Sequence, residues 1–281
     1  MEMEIELGQP IAYGRTAEIY AWHEGQVLKL FYDWFKLDDI QTEASNTRAI
    51  HAGGLPVPGV GEIVHIQGRY GLEYQRLDGK SMFKMIRRKP WKAISYARRW
   101  AQLQAGLHSA DIPADLPSQR QVLEKNIREA SALPESMKFR ILSNLAGMPE
   151  SDRVCHGDFW PANIQMTSQG ERVIDWFRAS RGNRLADLAR TTNLLFGFTR
   201  TRQSKRQFLS FGSSRLDQVK NALFRAFSRF GYPIFLNEYF RLLPGDHDEY
   251  QRWLPIVAAA RLSDNIPELE KMLLAQVEQG I

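Results

Sequence analysis

The stretch Val154-Cys155-His156-Gly157-Asp158-Phe159-Trp160-Pro161-Ala162-Asn163-Ile164, followed by Val173-Ile174-Asp175-Trp176, constrains this chain most. Pro161 has no N–H and clashes in a helix interior, so the segment is predicted to be a loop leading into strands. Ile164-Gln165-Met166 and Arg172-Val173-Ile174 read as two short strands, and Thr167-Ser168-Gln169-Gly170 between them has turn composition. In an antiparallel hairpin the start of the first strand lies beside the end of the second. Asn163 and Asp175 are therefore predicted to meet at the open end, with Asp158 in the loop just before it. One amide oxygen and two carboxylates are hard ligands suited to Mg²⁺ that still holds waters and a phosphate. Taken singly, an Asp in a loop is a turn former or helix cap. His156 with Asp158 could also be a ligand pair of a metal-dependent hydrolase.

Upstream, Gln26-Val27-Leu28-Lys29-Leu30-Phe31 reads as a buried strand with one Lys in its middle. A buried ammonium is costly unless paired. The following segment 35–51 reads as a helix ended by Gly53-Gly54, and Ile40, Glu43, Thr47 and Ile50 fall on one inward-looking stripe of it. A Lys29–Glu43 ion pair explains both misplaced charges; two snorkelling surface side chains are the alternative. The loop 8–16, with the two glycines Gly8 and Gly14, can lay backbone N–H groups over a phosphate or be an ordinary hairpin turn. Strands are expected at 5–7, 17–22, 26–31, 61–66 and 69–74.

The polar connector 75–81 follows, and beyond it the apolar period turns helical. The residues Ile94, Ala97, Ala101, Leu103, Gln104 and Leu107 are predicted to form the inner stripe of a long helix ending near His108. Further helices are expected at 119–133 and 135–145, a strand at 153–155, and a helix starting at 183. From 216 onward the chain is predicted helical, broken at Pro233, Pro244-Gly245 and Pro267, with a buried helix from Trp253 to Leu262. The boundary is set between residues 1–76 and 77–281, an α+β arrangement of a small sheet with one helix and a larger helical part.

The 281 residues suffice for a full core, and none of the apolar stretches approaches the roughly 20 residues of a membrane span. The single cysteine, Cys155, excludes an internal disulfide framework and fits a cytoplasmic protein; in an apolar run it reads as a buried structural thiol. The net charge of +5 gathers partly in Arg200, Arg202, Lys205, Arg206, Arg215, Lys220, Arg225 and Arg229, against only Asp217. No nucleic-acid-binding motif accompanies these bases. Leu216, Val219, Leu223, Phe227 and Phe230 have helical spacing, so the aromatics are expected to face a core. A solvated basic face, or a pocket for an anionic group, is preferred over a nucleic-acid site.

His156-Gly157-Asp158-x-x-x-x-Asn163, then Ile174-Asp175-Trp176, resembles the aminoglycoside phosphotransferase and choline kinase-like family more closely than eukaryotic protein kinases. The resemblance spans nearly the whole chain in order and implies a bilobal protein kinase-like fold. It implies a nucleotide-binding lobe over 1–76 and a catalytic and acceptor-binding lobe over 77–281. It further implies transfer of the γ-phosphoryl group of ATP (or GTP) to a small-molecule hydroxyl. In that reading Asp158 is the catalytic base, Asn163 and Asp175 hold Mg²⁺, and His156 holds the loop. Lys29 binds the phosphates, Glu43 steadies Lys29, and Gly14, Arg15 and Thr16 cover the nucleotide. Asp187 resembles an anchor of the catalytic loop, with a surface helix Asp as the alternative. His108 resembles the His of a family helix end, with an ordinary core His as the alternative. A nucleotide-binding pseudoenzyme and a hydrolase remain as other classes.

The acceptor is left open. The basic excess counts against a polycationic aminoglycoside, although Glu238, Asp246, Asp248 and Glu249 could form a local acidic wall. Trp176, Trp253, Tyr239 and Tyr250 could cage a quaternary ammonium or be core aromatics.

Overall fold

The computed structural model describes residues 7–112, 115–200 and 215–280. Strands β1 (Ala12–Tyr13), β2 (Ala17–Ala21), β3 (Gln26–Phe31), β4 (Val60–Ile66) and β5 (Arg69–Gln75) form one antiparallel sheet, in the order β1-β2-β3-β5-β4. Helix α1 (Leu37–Ala52) connects β3 to β4 and packs against β4 and β5. The two-residue period of β3 divides its side chains between two small cores. Leu28 and Leu30 join Tyr20 and Ile66 on one face, whereas Phe31 meets Ile40 and Ala44 of α1 on the other. Lys29 shares the Phe31 face, and so points toward α1.

The first strand differs from expectation. Residues 5 and 6 lie outside the described residues, Leu7 is in no strand, and β1 arises inside the anticipated glycine loop. Ala12 pairs with Ile19 and Tyr13 with Glu18, which leaves Gly14, Arg15 and Thr16 as the turn.

The connector after β5 is not all loop. β6 (Gly79–Ser81) pairs with β8 (Ile164–Thr167), which pairs in turn with β9 (Gly170–Val173). A Cβ on Gly79 would lie 2.4 Å from the Met166 carbonyl oxygen, so glycine permits this approach. β7 (Arg153–Cys155) and β10 (Ser180–Gly182) form a separate antiparallel pair on the two sides of the hairpin sequence.

Helices α2 (Met82–Arg88), α3 (Ala93–Ser109), α4 (Gln119–Glu129), α5 (Glu135–Ala146), α6 (Arg184–Arg200), α7 (Arg215–Leu242), α8 (His247–Arg261) and α9 (Pro267–Gln279) complete the described chain. One large apolar core joins them. Trp100 of α3 stacks on Phe235 of α7 with ring centroids 4.0 Å apart, and Trp253, Ile256 and Val257 of α8 are buried in the same extended core.

Three helical expectations are corrected. Ile94 lies on the solvent side of α3 and Leu103 is only partly buried, because the buried stripe runs through Ala97, Trp100, Ala101, Gln104 and Leu107. Pro233 does not break α7: Pro233 and Arg229, four residues earlier, are exposed, so the carbonyl left without its N–H partner can face water. Phe230 is exposed, while Phe227 enters the core. The other bases noted, from Arg200 to Arg225, have side chains outside the described residues. Among the described residues no helix is long and apolar enough to cross a membrane.

Candidate active site

The hairpin forms as its turn composition dictates, with Ile164 opposite Val173. The Ile174 N–H donates to the Asn163 carbonyl at 2.9 Å, which brings Asn163 and Asp175 to the same open end. Asp175 has φ 69°, a left-handed conformation unusual for a side-chain-bearing residue, as expected where surrounding contacts over-determine the backbone. Gly157 has φ 75°, and a Cβ there would lie 2.5 Å from the Arg178 carbonyl oxygen. Only glycine fits that turn.

His156 is buried with both ring nitrogens engaged. Its Nδ1 accepts the Asp158 N–H at 3.1 Å and its Nε2 faces the Ile174 carbonyl at 3.1 Å, which assigns the proton to Nε2. No lone pair is left for a metal, so the hydrolase reading loses its histidine ligand. Asp187 is the anchor rather than a surface acid. Its Oδ1 accepts the Gly157 N–H at 2.7 Å, and its Oδ2 accepts the His156 N–H at 3.2 Å. The same carboxylate meets His108 Nε2 at 3.0 Å, and His108 Nδ1 meets the Tyr239 hydroxyl at 2.7 Å. Burial pushes the Asp187 pKa up, but His108 and the Gly157 N–H outweigh it and hold the group ionised.

Asp158 receives the Asn163 amide, whose Nδ2 donates to Asp158 Oδ2 and to its carbonyl, both at 3.0 Å. Burial and the nearby Asp175 charge raise the Asp158 pKa, against the opposing pull of Arg190 and Arg178. Lys29 ties the two parts of the chain together: its Nζ lies 2.6 Å from Glu43 Oε1 and 3.1 Å from Asp175 Oδ1. Burial works against the Lys29 charge, yet the two carboxylates outweigh it and raise its pKa. Burial raises the pKa of Glu43, opposed by Lys29; the Tyr74 hydroxyl donates to Glu43 at 2.7 Å. Gly14 and Arg15 are exposed at the β1–β2 turn, with Thr16 partly buried, and Gly14 N–H closes the turn on Ala17 O at 2.8 Å.

The protein donors left for a cation are sparse. Among the described residues no three His, Cys, Asp or Glu groups converge on a metal cage. The Asp175 carboxylate is partly exposed, and the Asn163 amide, with its nitrogen turned to Asp158, has its oxygen available. Two hard oxygen ligands suit a Mg²⁺ that keeps waters and takes the rest of its shell from nucleotide phosphates.

Two features escaped the sequence reading. The Asn46 amide of α1 donates to the Trp176 and Phe177 carbonyls at 3.1 and 3.3 Å, which fastens α1 to the backbone just after Asp175. Next to Asp158 stand Arg178, Arg190 and Arg261 around the single carboxylate of Asp264. Arg178 Nη2 lies 2.7 Å from Asp264 Oδ1, with Arg190 Nη2 and Arg261 Nε at 3.2 and 3.7 Å from Oδ2. Arg190 Nε also donates to the Gly157 carbonyl at 2.7 Å. Burial raises the Asp264 pKa, but Arg190, Arg178, Arg261 and Arg15 bring it down to about 2. The available signal was an arginine inside the otherwise apolar helix 253–262.

Both cationic-acceptor alternatives lose their residues. Trp176, Trp253, Tyr239 and Tyr250 are fully buried core aromatics. Glu238 pairs with Arg241, Asp246 caps α8, Glu249 accepts from Asn183 and Trp253, and Asp248 is an exposed first-turn acid.

Solved structures with this fold are similar in shape over most of their length. An aminoglycoside-3'-phosphotransferase of type VIII superposes with a TM-score of 0.57 at 20% identity, covering 91% of this chain and 90% of its own. A ternary complex of a thermostable mutant of aminoglycoside phosphotransferase APH(4)-Ia with ADP and hygromycin B gives 0.57 at 14% identity, covering 98% and 92%. A putative fructosamine-3-kinase from Haemophilus somnus 129PT gives 0.58 at 14% identity, covering 97% and 90%. At these identities the likeness shows the shared protein kinase-like fold. No curated protein matches in sequence. The model of the phosphotransferase enzyme family matches residues 27–219, which include Lys29, Glu43, Asp158, Asn163 and Asp175, and the chain belongs to that family.

Proposed function

We propose that this small-molecule phosphotransferase moves the γ-phosphoryl group of ATP or GTP to a hydroxyl of its acceptor, with Asp158 as base. The observation that carries the reading is the Lys29 bridge, which joins a β3 ammonium to Glu43 and, across 146 residues of sequence, to Asp175 beside Asp158. A relative of the same fold holds ADP and hygromycin B, which supports a nucleotide donor and a hydroxyl-bearing acceptor. Residues 1–76 would form the nucleotide lobe and 77–281 the catalytic and acceptor lobe.

Lys29, held straight by Glu43, neutralises the donor phosphates; the turn at Gly14, Arg15 and Thr16 covers them. Asn163 and Asp175 would hold Mg²⁺, which when bound shields the phosphate charge. Asp158 accepts a hydrogen bond from the acceptor hydroxyl and orients its oxygen toward the γ-phosphorus. The acceptor O–P bond forms, the bridging P–O bond to the β-phosphate breaks, and the nucleoside diphosphate departs with that electron pair. The hydroxyl proton passes to Asp158, whose raised pKa suits a proton acceptor. A single cysteine, with no second thiol in the sequence to pair with, fits a reducing, cytoplasmic setting.

The test is Mg²⁺-dependent ATP and GTP binding, followed by turnover across alcohols, amino alcohols, sugars and aminoglycosides, with Lys29→Ala and Asp158→Asn as controls. Nucleotide binding with turnover that Asp158→Asn abolishes is expected. Absence of both nucleotide binding and phosphorylation would sink the reading.

A further inference from the structure

Building on the phosphotransferase reading, we propose that the acceptor is an anion, carrying a carboxylate or phosphate ester received by Arg178, Arg190 and Arg261 beside Asp158. Three guanidinium groups share Asp264, and Asp158 also acts on all three, so with Asp175 paired to Lys29 three positive charges face two negative ones before any ligand arrives. Two of the three are deeply buried: Arg190 is 9% exposed and Arg261 5% exposed. Surface arginines discharge their field into water; these cannot.

Arg261 supplies the second, independent sign. Its Nε and Nη1 are buried without a hydrogen-bond partner, and Nε stands 3.7 Å from Asp264, too far for a hydrogen bond. Buried donors are otherwise satisfied almost everywhere in folded proteins, so orphans on a charged group point to a missing acceptor. Burial and the neighbouring Arg190 depress the Arg261 pKa to about 9. The guanidinium keeps its proton at neutral pH, so a buried positive charge stands there with two of its donors unbonded.

The position suits an acceptor rather than a remote structural ion. Arg190 holds the Gly157 carbonyl, one residue before Asp158, and both Arg190 and Arg178 act electrostatically on Asp158 itself. Arg178 is the most exposed of the three, and offers the group through which a ligand anion can be captured from solution. Guanidinium forks match the two oxygens of a carboxylate or phosphate. The anion takes no part in bond making; it fixes the acceptor so that its hydroxyl lies at Asp158. The buried Trp176, Trp253, Tyr239 and Tyr250, and the locally engaged Glu238, Asp246 and Glu249, provide no comparable receptor for a cation.

The experiment uses the full chain, Mg²⁺, γ-labelled ATP or GTP, and a small-molecule extract separated by ion exchange into anionic, neutral and cationic pools. Labelled product is expected from the anionic pool. Prior treatment of that pool with phosphatase distinguishes the sources: retained acceptance identifies a carboxylate, and lost acceptance a phosphate ester. Arg178→Ala should raise the KM for the anionic pool at least tenfold and raise the KM for the nucleotide far less, with Arg178→Lys in between. Label only from the neutral or cationic pool, or from none while Mg-nucleotide still binds, overturns the anionic acceptor and leaves the phosphotransferase reading intact. An Arg178→Ala effect confined to the nucleotide KM also overturns it, by assigning the arginines to the donor. Failure of the unmodified chain to bind Mg-nucleotide overturns the phosphotransferase reading and this inference with it.

Discussion

Replacing Asp187 with Ala should both unfold the protein earlier and disable it. The carboxylate is 2% exposed and accepts from the backbone N–H groups of His156 and Gly157 and from His108 and Gln104. Without it two backbone donors and the His108 ring donor are left buried and unmatched, while Gln104 Nε2 keeps its bond to Thr191. Each orphan costs about 1–3 kcal/mol, and because they relax together a joint loss of about 3–5 kcal/mol is reasonable. Unfolding entropy near 2.1 cal/mol/K per residue gives roughly 0.6 kcal/mol/K for a chain of this length, so the apparent melting temperature should fall by about 5–8 °C. Those same N–H groups set the loop that carries Asp158, and a misplacement of about 1 Å can reduce turnover roughly 100-fold. Thermal melting and steady-state kcat on one preparation provide the assay. A variant that melts within about 1 °C of the parent and turns over normally would show that Asp187 does not hold the loop.

Lys29→Ala leaves Glu43 and Asp175 without their shared ammonium, so kcat/KM for the nucleotide should drop by about 10²–10³ in initial-rate measurements. Gly157→Ala forces a side chain into a left-handed turn 2.5 Å from the Arg178 carbonyl; a stability loss of about 1–3 kcal/mol in urea titration, with loss of turnover, is expected. The Asp264 pKa is lowered from 3.8 to about 2, so its ionised form stabilises the fold above about pH 4 and that contribution disappears as pH falls toward 2. It amounts to about 2 kcal/mol, so the stability gap between the parent and Asp264→Asn should be largest at pH 5–6 and close toward pH 2 in urea melts.

The hairpin was legible because its signals are local: a proline, a turn and two short apolar runs lie within about 20 residues. The Lys29–Glu43 pair was legible from two charges breaking two apolar patterns, which makes each the natural partner of the other. The arginine cluster was not, because Arg178, Arg190, Arg261 and Asp264 come from separate segments and a single arginine carries no sign of its neighbours. Helical periodicity misplaced Ile94 because α3 turns its Trp100 stripe inward. Pro233 was read as a break because sequence cannot show that the unpaired carbonyl faces water. β6 hid in a polar connector because its partner, β8, lies more than 80 residues away.

The central claim is that Asp158 takes the acceptor proton in a nucleotide-dependent phosphoryl transfer. Single-turnover transfer of label from γ-labelled ATP or GTP, at saturating Mg-nucleotide, tests it directly when the parent is compared with Asp158→Asn. The variant should bind nucleotide with an affinity near the parent's and transfer label about 10²–10⁴ times more slowly. Transfer by Asp158→Asn at the parent's rate would contradict the claim.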